Sequence, residues 1–230
     1  MMFIPPFCDR QDAGAQLAQV VLQDLDTLGW LPAHPSREVV VYGLPRGGVI
    51  LALPLAEALH CPLDVVIAKK ITLPNNAELA IGAVTADGQV LRARRQLFGL
   101  KTEDWKTARA AAWQRALEQG QQFDAVTPHI SPTGRVAVLV DDGIATGMTM
   151  VAAARSLWSK RPAKLLICAP VAPPQVVQRL QQWCDRTILL YTPVEFYSVS
   201  RFYQNFPQVE MEEAIACLQT YNRPMGGIDH

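Results

Sequence analysis

Apolar residues along this chain follow two periods in turn. Residues 38–42 (EVVVY), 64–68 (DVVIA), 80–85 (AIGAVT), 135–140 (RVAVLV), 164–169 (KLLICA) and 187–190 (TILL) are short runs rich in β-branched residues, and each is a predicted strand. Helical spacing predicts helices over 12–28, where Leu17, Val20, Val21, Leu25 and Leu28 recur, and over 48–59, despite an internal Pro54. Further helices are predicted over 102–122, 149–158, 174–183 and 209–218. Ala86-Asp87-Gly88, between Val84 and Val90, predicts a hairpin turn. Strands separated by helices predict an α/β fold: a mostly parallel, twisted sheet flanked by helices and joined by right-handed crossovers. In such sheets ligands sit beyond the carboxyl ends of the strands, so the loops that follow strands hold the chemistry.

The loop after the strand at 135–140 reads Asp141-Asp142-Gly143-Ile144-Ala145-Thr146-Gly147-Met148-Thr149. Ala145, Thr146, Gly147, Met148 and Thr149 form a loop whose backbone N–H groups can approach an anion, with a helix N-terminus behind them. Thr146 and Thr149 can add hydroxyl donors. Two adjacent carboxylates do not suit a phosphate alone; they suit a ligand that also brings hydroxyls to donate. Phosphate donors beside hydroxyl acceptors describe a site for ribose 5-phosphate. The bland alternative is a strand that ends in a solvated Asp-Asp-Gly turn.

Two other loops leave the same edge of the predicted sheet. Gly43-Leu44-Pro45-Arg46-Gly47-Gly48 turns into a helix, where Gly47 and Gly48 allow close backbone approach and Arg46 offers a two-pronged donor. Lys69 and Lys70 end the next strand, where the charge of an anionic ligand needs balancing. Pro74, Asn75 and Asn76, followed by Glu78, read as a flexible segment that closes over substrate.

The run DDGIATGMT resembles the binding motif for 5-phosphoribosyl-1-pyrophosphate (PRPP) of type I phosphoribosyltransferases. The resemblance implies that fold, with a core over about 36–191 and a small hood built from about 1–35 and 192–230, all in a single domain over 1–230. Carried over, Asp141 and Asp142 hold the ribose hydroxyls, and residues 145–149 hold the 5-phosphate. Pro45, Arg46, Gly47, Gly48, Lys69 and Lys70 hold the pyrophosphate, with a cis peptide at Pro45–Arg46. Lys70 joins the two aspartates as a catalytic residue. The implied activity is transfer of phosphoribose from PRPP to a nitrogenous base, with Mg²⁺ held mainly through PRPP and water; a non-catalytic PRPP sensor of the same fold is the alternative. A related enzyme acting on another phosphorylated sugar is a third reading. Asp9-Arg10 with Ala13-Gly14, residues 78–83 (ELAIGA) and the aromatic tail Phe196-Tyr197 to Phe206 are similar to a poorly characterised subfamily. Ala145 stands where 6-oxopurine enzymes carry an acid, so the loop is nearer to that of adenine phosphoribosyltransferases. Phe196, Tyr197, Phe202 and Tyr203 are candidates for stacking on a base, or for docking the tail to the core. A homodimer is implied by the family alone.

Composition narrows the partners. Lys plus Arg and Asp plus Glu are 21 each, so no global field favours nucleic acid or an anionic membrane, and an anion has to be held locally. The basic run Arg92, Arg94, Arg95, Lys101, Lys106, Arg109 and Arg115 is interrupted by Glu103 and Asp104 and reads as a solvated face. Five widely spaced cysteines without CxxC, no apolar stretch long enough to cross a bilayer and no signal-peptide pattern lead to the expectation of a reduced, cytoplasmic protein. Neither GxSxG nor a Walker motif is present, and the four histidines lack metal-ligand spacing.

Overall fold

A computed structural model describes residues 4–73, 76–93 and 101–223. The first half runs α1 (Arg10–Thr27), α2 (Pro35–Glu38), β1 (Val39–Gly43), α3 (Gly47–Leu59), β2 (Leu63–Val65), β3 (Ala68–Leu73), β4 (Asn76–Thr85) and β5 (Val90–Arg92). The second half runs α4 (Thr102–Phe123), β6 (Val136–Val140), α5 (Met148–Ser159), β7 (Lys164–Val171), α6 (Pro174–Leu180), β8 (Arg186–Tyr191), a 3₁₀ turn (Val199–Phe202) and α7 (Met211–Tyr221). The main sheet is ordered β2-β1-β6-β7-β8, and every pairing is parallel.

Side chains in a strand alternate between faces, and here both faces are apolar. Val39, Val41, Val138, Val140, Leu166 and Cys168 pack with α1, α3 and α7. Val40, Tyr42, Ala137, Leu139, Leu165 and Ile167 pack with α5 and α6. The predicted parallel sheet with two covered faces is therefore present, and no helix among the described residues is long and apolar enough to cross a membrane.

Three expectations change. The run at 64–68 is not one strand: β2 ends at Val65, Val66 and Ile67 break away, and β3 begins at Ala68. The strand at 80–85 lies in a second, antiparallel sheet ordered β3-β4-β5, wedged between α4 and α5. β-Branched composition reports that a segment is extended, not which sheet receives it. The helix expected over 174–183 is shorter, α6 ending at Leu180.

The terminal segments divide between two jobs. Leu17, Val21 and Leu25 of α1, and Ala214 and Leu218 of α7, are fully buried in the main core. The pieces that cover the site are shorter. Phe7 forms a parallel bridge with Tyr203, Phe7 N–H donates to the Phe202 carbonyl at 3.2 Å, and Gln204 N–H returns to Phe7 at 2.8 Å. The two ends of the chain are thus stitched into one strap.

Helices α1 and α3 meet at Gly14, where a Cβ would collide with the Leu51 carbonyl. A methyl group normally favours helix by about 1 kcal/mol over glycine, but here it would force the helices apart. Gly14→Ala is expected to lower unfolding free energy by about 1–3 kcal/mol in a denaturant titration, the cost of overpacking; a more stable variant would show that the contact yields.

Candidate functional site

β1 and β6 are parallel neighbours with Gly43 opposite Val140, so the segments after them leave the sheet at the same height. Leu44 N–H donates to the Val140 carbonyl at 2.9 Å. The chain then passes through Pro45 and Arg46, joined by a cis peptide, into Gly47 and Gly48 at the start of α3. Close approach dictates the glycines. A Cβ on Gly47 would strike the Asp142 carboxylate, and one on Gly48 would lie 3.1 Å from Asp141 Cα.

The β6 loop turns over Gly143, which leaves no room for a side chain beneath Val199, and reaches α5 through Gly147 at φ +73°. That left-handed backbone favours glycine. α5 has no side-chain cap. Among the described residues, the N–H groups of Ala145, Thr146, Gly147, Met148 and Thr149 find no acceptor within the chain. At the other loop, by contrast, Gly48 and Val49 give theirs to the Leu44 and Arg46 carbonyls at 3.1 Å each. Consecutive unused N–H groups at the positive end of a helix form an anion cradle. Ala145 and Thr146 are exposed, and Arg179 of α6 brings a cation alongside by donating to the Thr146 carbonyl at 3.1 Å.

Asp141 and Asp142 stand between this cradle and α3. Burial pushes the Asp141 carboxyl well above the ordinary carboxylate range, and the adjacent Asp142 charge pushes it further; the Asp142 N–H, donating to Asp141 Oδ1 at 2.9 Å, opposes this. Burial also raises Asp142, against the pull of Arg10, whose Nε–H donates to Asp142 Oδ2 at 2.7 Å. The Asp142 carbonyl accepts the Tyr203 hydroxyl at 2.6 Å.

A cavity of about 520 Å³ opens next to these loops, lined by Arg10, Pro45, Arg46, Gly47, Lys69 and the 206–209 segment. Burial lowers the Lys69 pKa, and the charges of Arg46 and Arg115 lower it further. Among the described residues the cations around this cavity have two carboxylate partners: Asp142 for Arg10, and an exposed Glu210, 3.5 Å from Arg46. Cations gathered with so little compensation suit a polyanionic ligand. A second cavity of about 410 Å³, between α4 and the far end of α5, has two of its acids already bonded: Asp64 to the Val65 and Ile130 N–H groups, Asp87 to Thr85 and Ser156.

The structure thus brings together residues 45–48, Lys69, Asp141, Asp142 and residues 145–149. Lys70 departs from its neighbour. Adjacent strand residues face opposite ways, so Lys69 lines the cavity while Lys70, paired in register with Ala83, is exposed on the other face of β3. Asn76 and Glu78 fall in β4 rather than in a loop; Pro74 and Asn75 lie outside the described residues, as do Arg94, Arg95 and His230. Phe202 and Tyr203 are 3% and 4% exposed, so their rings belong to the core and present no face to a base. Phe196 stacks on Phe202, and exposed Tyr197 lies under Arg201. The basic run disperses: Arg92 covers Trp105, Lys106 pairs with Glu103, and Arg115 acts on Lys69. Sequence reasoning does not single out Arg10 and Phe206 as site residues, because only tertiary contacts carry them there; the Asp9-Arg10 pair is the one available signal.

A phosphoribosyl transferase domain model matches residues 29–199. Over 229 residues, 97% of this chain, the sequence is 35% identical to "Putative phosphoribosyl transferase Rv0571c" of Mycobacterium tuberculosis, of which it spans 49%. The chain therefore spans about half the length of the curated relatives it matches. The crystal structure of TT1426 from Thermus thermophilus superposes with TM-score 0.76 at 33% identity, covering 94% of this chain and 98% of that one. AQ2163 from Aquifex aeolicus shares the fold, with TM-score 0.51 at 13% identity over 84% of this chain and 85% of that one.

A carboxyl whose folded pKa exceeds its unfolded value of about 3.9 stabilises the fold fully only below that value, and the benefit is lost as pH rises through the folded pKa. Ionised Asp141 is consequently a cost at neutral pH. Asp141→Asn keeps an oxygen for the Asp142 N–H and is expected to stabilise the ligand-free protein by about 0.5–2 kcal/mol at pH 8. The gain should vanish below about pH 4 in thermal melts across pH; a constant gain would mean that charge is not its cause.

Proposed function

This chain belongs to the phosphoribosyl transferase family, and on that premise we propose that it is a transferase that moves the 5-phosphoribosyl group of PRPP to a nitrogenous base and releases pyrophosphate. One observation carries the reading. The unused N–H groups of residues 145–149 and the carboxylates of Asp141 and Asp142 follow one another after β6 at the carboxyl edge of the main sheet, and the cationic cavity of Arg46 and Lys69 adjoins them, Lys69 arriving from the second sheet. That order matches a 5-phosphate, a ribose with two hydroxyls, and a pyrophosphate on C1.

In this reading the 5-phosphate lies in the cradle, its charge met by backbone dipoles and the α5 N-terminus. Asp141 and Asp142 accept hydrogen bonds from the ribose hydroxyls. Each such charge-assisted bond contributes about 1.5–3 kcal/mol. A ring nitrogen of the acceptor attacks C1 as the C1–O bond to pyrophosphate breaks, its electron pair leaving with the pyrophosphate oxygen. Positive charge that builds on C1 and the ring oxygen in the transition state is stabilised by the neighbouring carboxylates, and the departing negative charge by Arg46 and Lys69. Such preorganised electrostatics, with positioning, supplies the acceleration.

The family generally works with Mg²⁺. Among the described residues no group of three or more His, Cys, Asp or Glu side chains could hold a metal, and Asp142 Oδ2 is engaged by Arg10. The donor set therefore fits an ion carried by diphosphate and ribose oxygens and by water, as Mg²⁺ prefers; when bound it would neutralise charge on the diphosphate. Ala145 brings no acid to the acceptor, which favours a base other than a 6-oxopurine, an adenine-like purine being the nearest class. A homodimer in the cytoplasm belongs to the same reading.

Calorimetric titration with PRPP, with and without Mg²⁺, tests the donor assignment: saturable, Mg²⁺-dependent binding is expected, followed by pyrophosphate release with one member of a base panel. Binding without turnover on any base would turn the reading to a PRPP sensor. Lys69→Ala should weaken PRPP by about 1.5–3 kcal/mol while leaving ribose 5-phosphate nearly unaffected, and Lys70→Ala should do less. Equal losses for both ligands would overturn the cavity's assignment to pyrophosphate.

A further inference from the structure

Arg10 lies far in sequence from the loops of the site, yet its guanidinium is fixed on three sides. Its Nε–H donates to Asp142 Oδ2 at 2.7 Å, its Nη1 donates to the Pro207 carbonyl at 2.8 Å, and its Cζ lies 3.7 Å from the centre of the Phe206 ring. The residue is buried, and Gly47 presses on the same pair from the α3 side. We propose that Arg10 is the positioning residue of the donor site: it holds the Asp142 carboxylate ionised and correctly turned, so that one oxygen remains for a ribose hydroxyl. This rests on the PRPP reading above, and it assigns the N-terminal segment a part in the reaction.

Two neighbouring carboxylates cannot both ionise cheaply in a buried loop. The groups facing Asp142 are Asp141 from its own loop, Arg10 from α1 and the Tyr203 phenol from the strap. Arg46 and Lys69 lie across the shared cavity, with Glu210 paired to Arg46. Among the described residues only Arg10 places a cation in contact with Asp142. Its bond engages Oδ2 alone, so the Arg10 guanidinium is not bonded to the other carboxylate oxygen. Pro207 and Phe206 in turn prevent the guanidinium from following a ligand anion into the cavity. Among the described residues Arg10 Nη2 has no acceptor within the chain, and Arg10 lines the cavity together with Arg46 and Lys69.

Without Arg10 the second proton would bind more tightly, and Asp142 would present a neutral carboxyl to the sugar. A lysine at this position would preserve the charge and lose the two-sided clamp. The two functions, ionising and orienting, can therefore be separated by substitution.

The test reads the carboxyl directly. Aspartate side-chain ¹³C resonances are titrated in the ligand-free wild type, Arg10→Gln and Arg10→Lys, with the Asp142 signal assigned by its loss in Asp142→Asn. In Arg10→Gln the Asp142 midpoint should rise by about one to three pH units, and in Arg10→Lys it should stay near the wild-type value. PRPP affinity is then measured by calorimetry over a pH range that spans the two titrated midpoints. The acid limb should move up in Arg10→Gln, with affinity recovering as pH rises; Arg10→Lys should keep the wild-type profile at lower affinity. An unmoved Asp142 midpoint overturns the proposal, as does an unshifted affinity profile. A wild type that fails to bind PRPP overturns instead the donor assignment on which the proposal rests, and the carboxyl titration, which needs no ligand, tells the two failures apart. Should Arg10→Gln not fold, Arg10→Lys against wild type still decides whether the clamp orients the carboxylate, through its affinity at a fixed midpoint.

Discussion

Two negative charges on consecutive residues, at the end of a strand buried on both faces, are the constraint around which this molecule is arranged. Asp141 and Asp142 are only partly open to water, because β6 sits in the middle of the sheet and Gly47 and Gly48 approach them from α3. The surroundings answer that cost one contact at a time. Asp141 receives the Asp142 N–H, Asp142 receives Arg10, and Arg10 is braced by Phe206 and Pro207. Tyr203 fixes the Asp142 carbonyl, and Phe7 fixes Tyr203. The strap formed by the two chain ends thus follows from the need to hold a pair of carboxylates that would otherwise share a proton.

The parallel register of β1 and β6 supplies the other half. With Gly43 opposite Val140, the β1 loop and the β6 loop must leave the sheet in contact. Small residues then follow from sterics rather than from flexibility: a side chain on Gly47 or Gly48 would occupy the space of the carboxylates. The second sheet, wedged between α4 and α5, carries Lys69 to the same cavity from the side. Cations and carboxylates remain apart because they arrive on different elements. Among the described residues Arg10 bridges to Asp142, and Arg46 meets only the exposed Glu210.

How much of this can be read from sequence depends on how local each feature is. The run from β6 through residues 141–149 into α5 is legible because strand, loop and helix start are contiguous in sequence. The alternation of β-branched runs with helical spacing likewise yields the parallel sheet and its two covered faces. Lys69 and Lys70 are indistinguishable on paper, since only the placement of β3 decides which of two adjacent side chains faces the cavity. The same holds for Phe202 and Tyr203: an aromatic tail announces apolar surface, but whether a ring meets ligand or core depends on the strap's pairing with Phe7. Arg10 is visible as half of a motif and silent about its role, because its partners lie at residues 142 and 206–207. The break between β2 and β3 is hidden by Val66 and Ile67, which suit a strand equally well and are used here to leave one.

The unused N–H groups of residues 145–149 have a consequence for discrimination. A backbone cradle of this kind cannot distinguish an ester phosphate from sulfate or free phosphate, since each offers the same oxygens. The pair of acids beside it can. A bare anion entering the loop meets carboxylates with nothing to give them and is repelled, whereas a phosphorylated sugar arrives with hydroxyls that satisfy those acids. On the proposed reading, attraction in this site is common to all small oxyanions, and selectivity comes from a neighbouring repulsion that a polyol cancels. The cost of keeping two charges in this partly buried loop is, on the proposed reading, what keeps inorganic anions from competing for it.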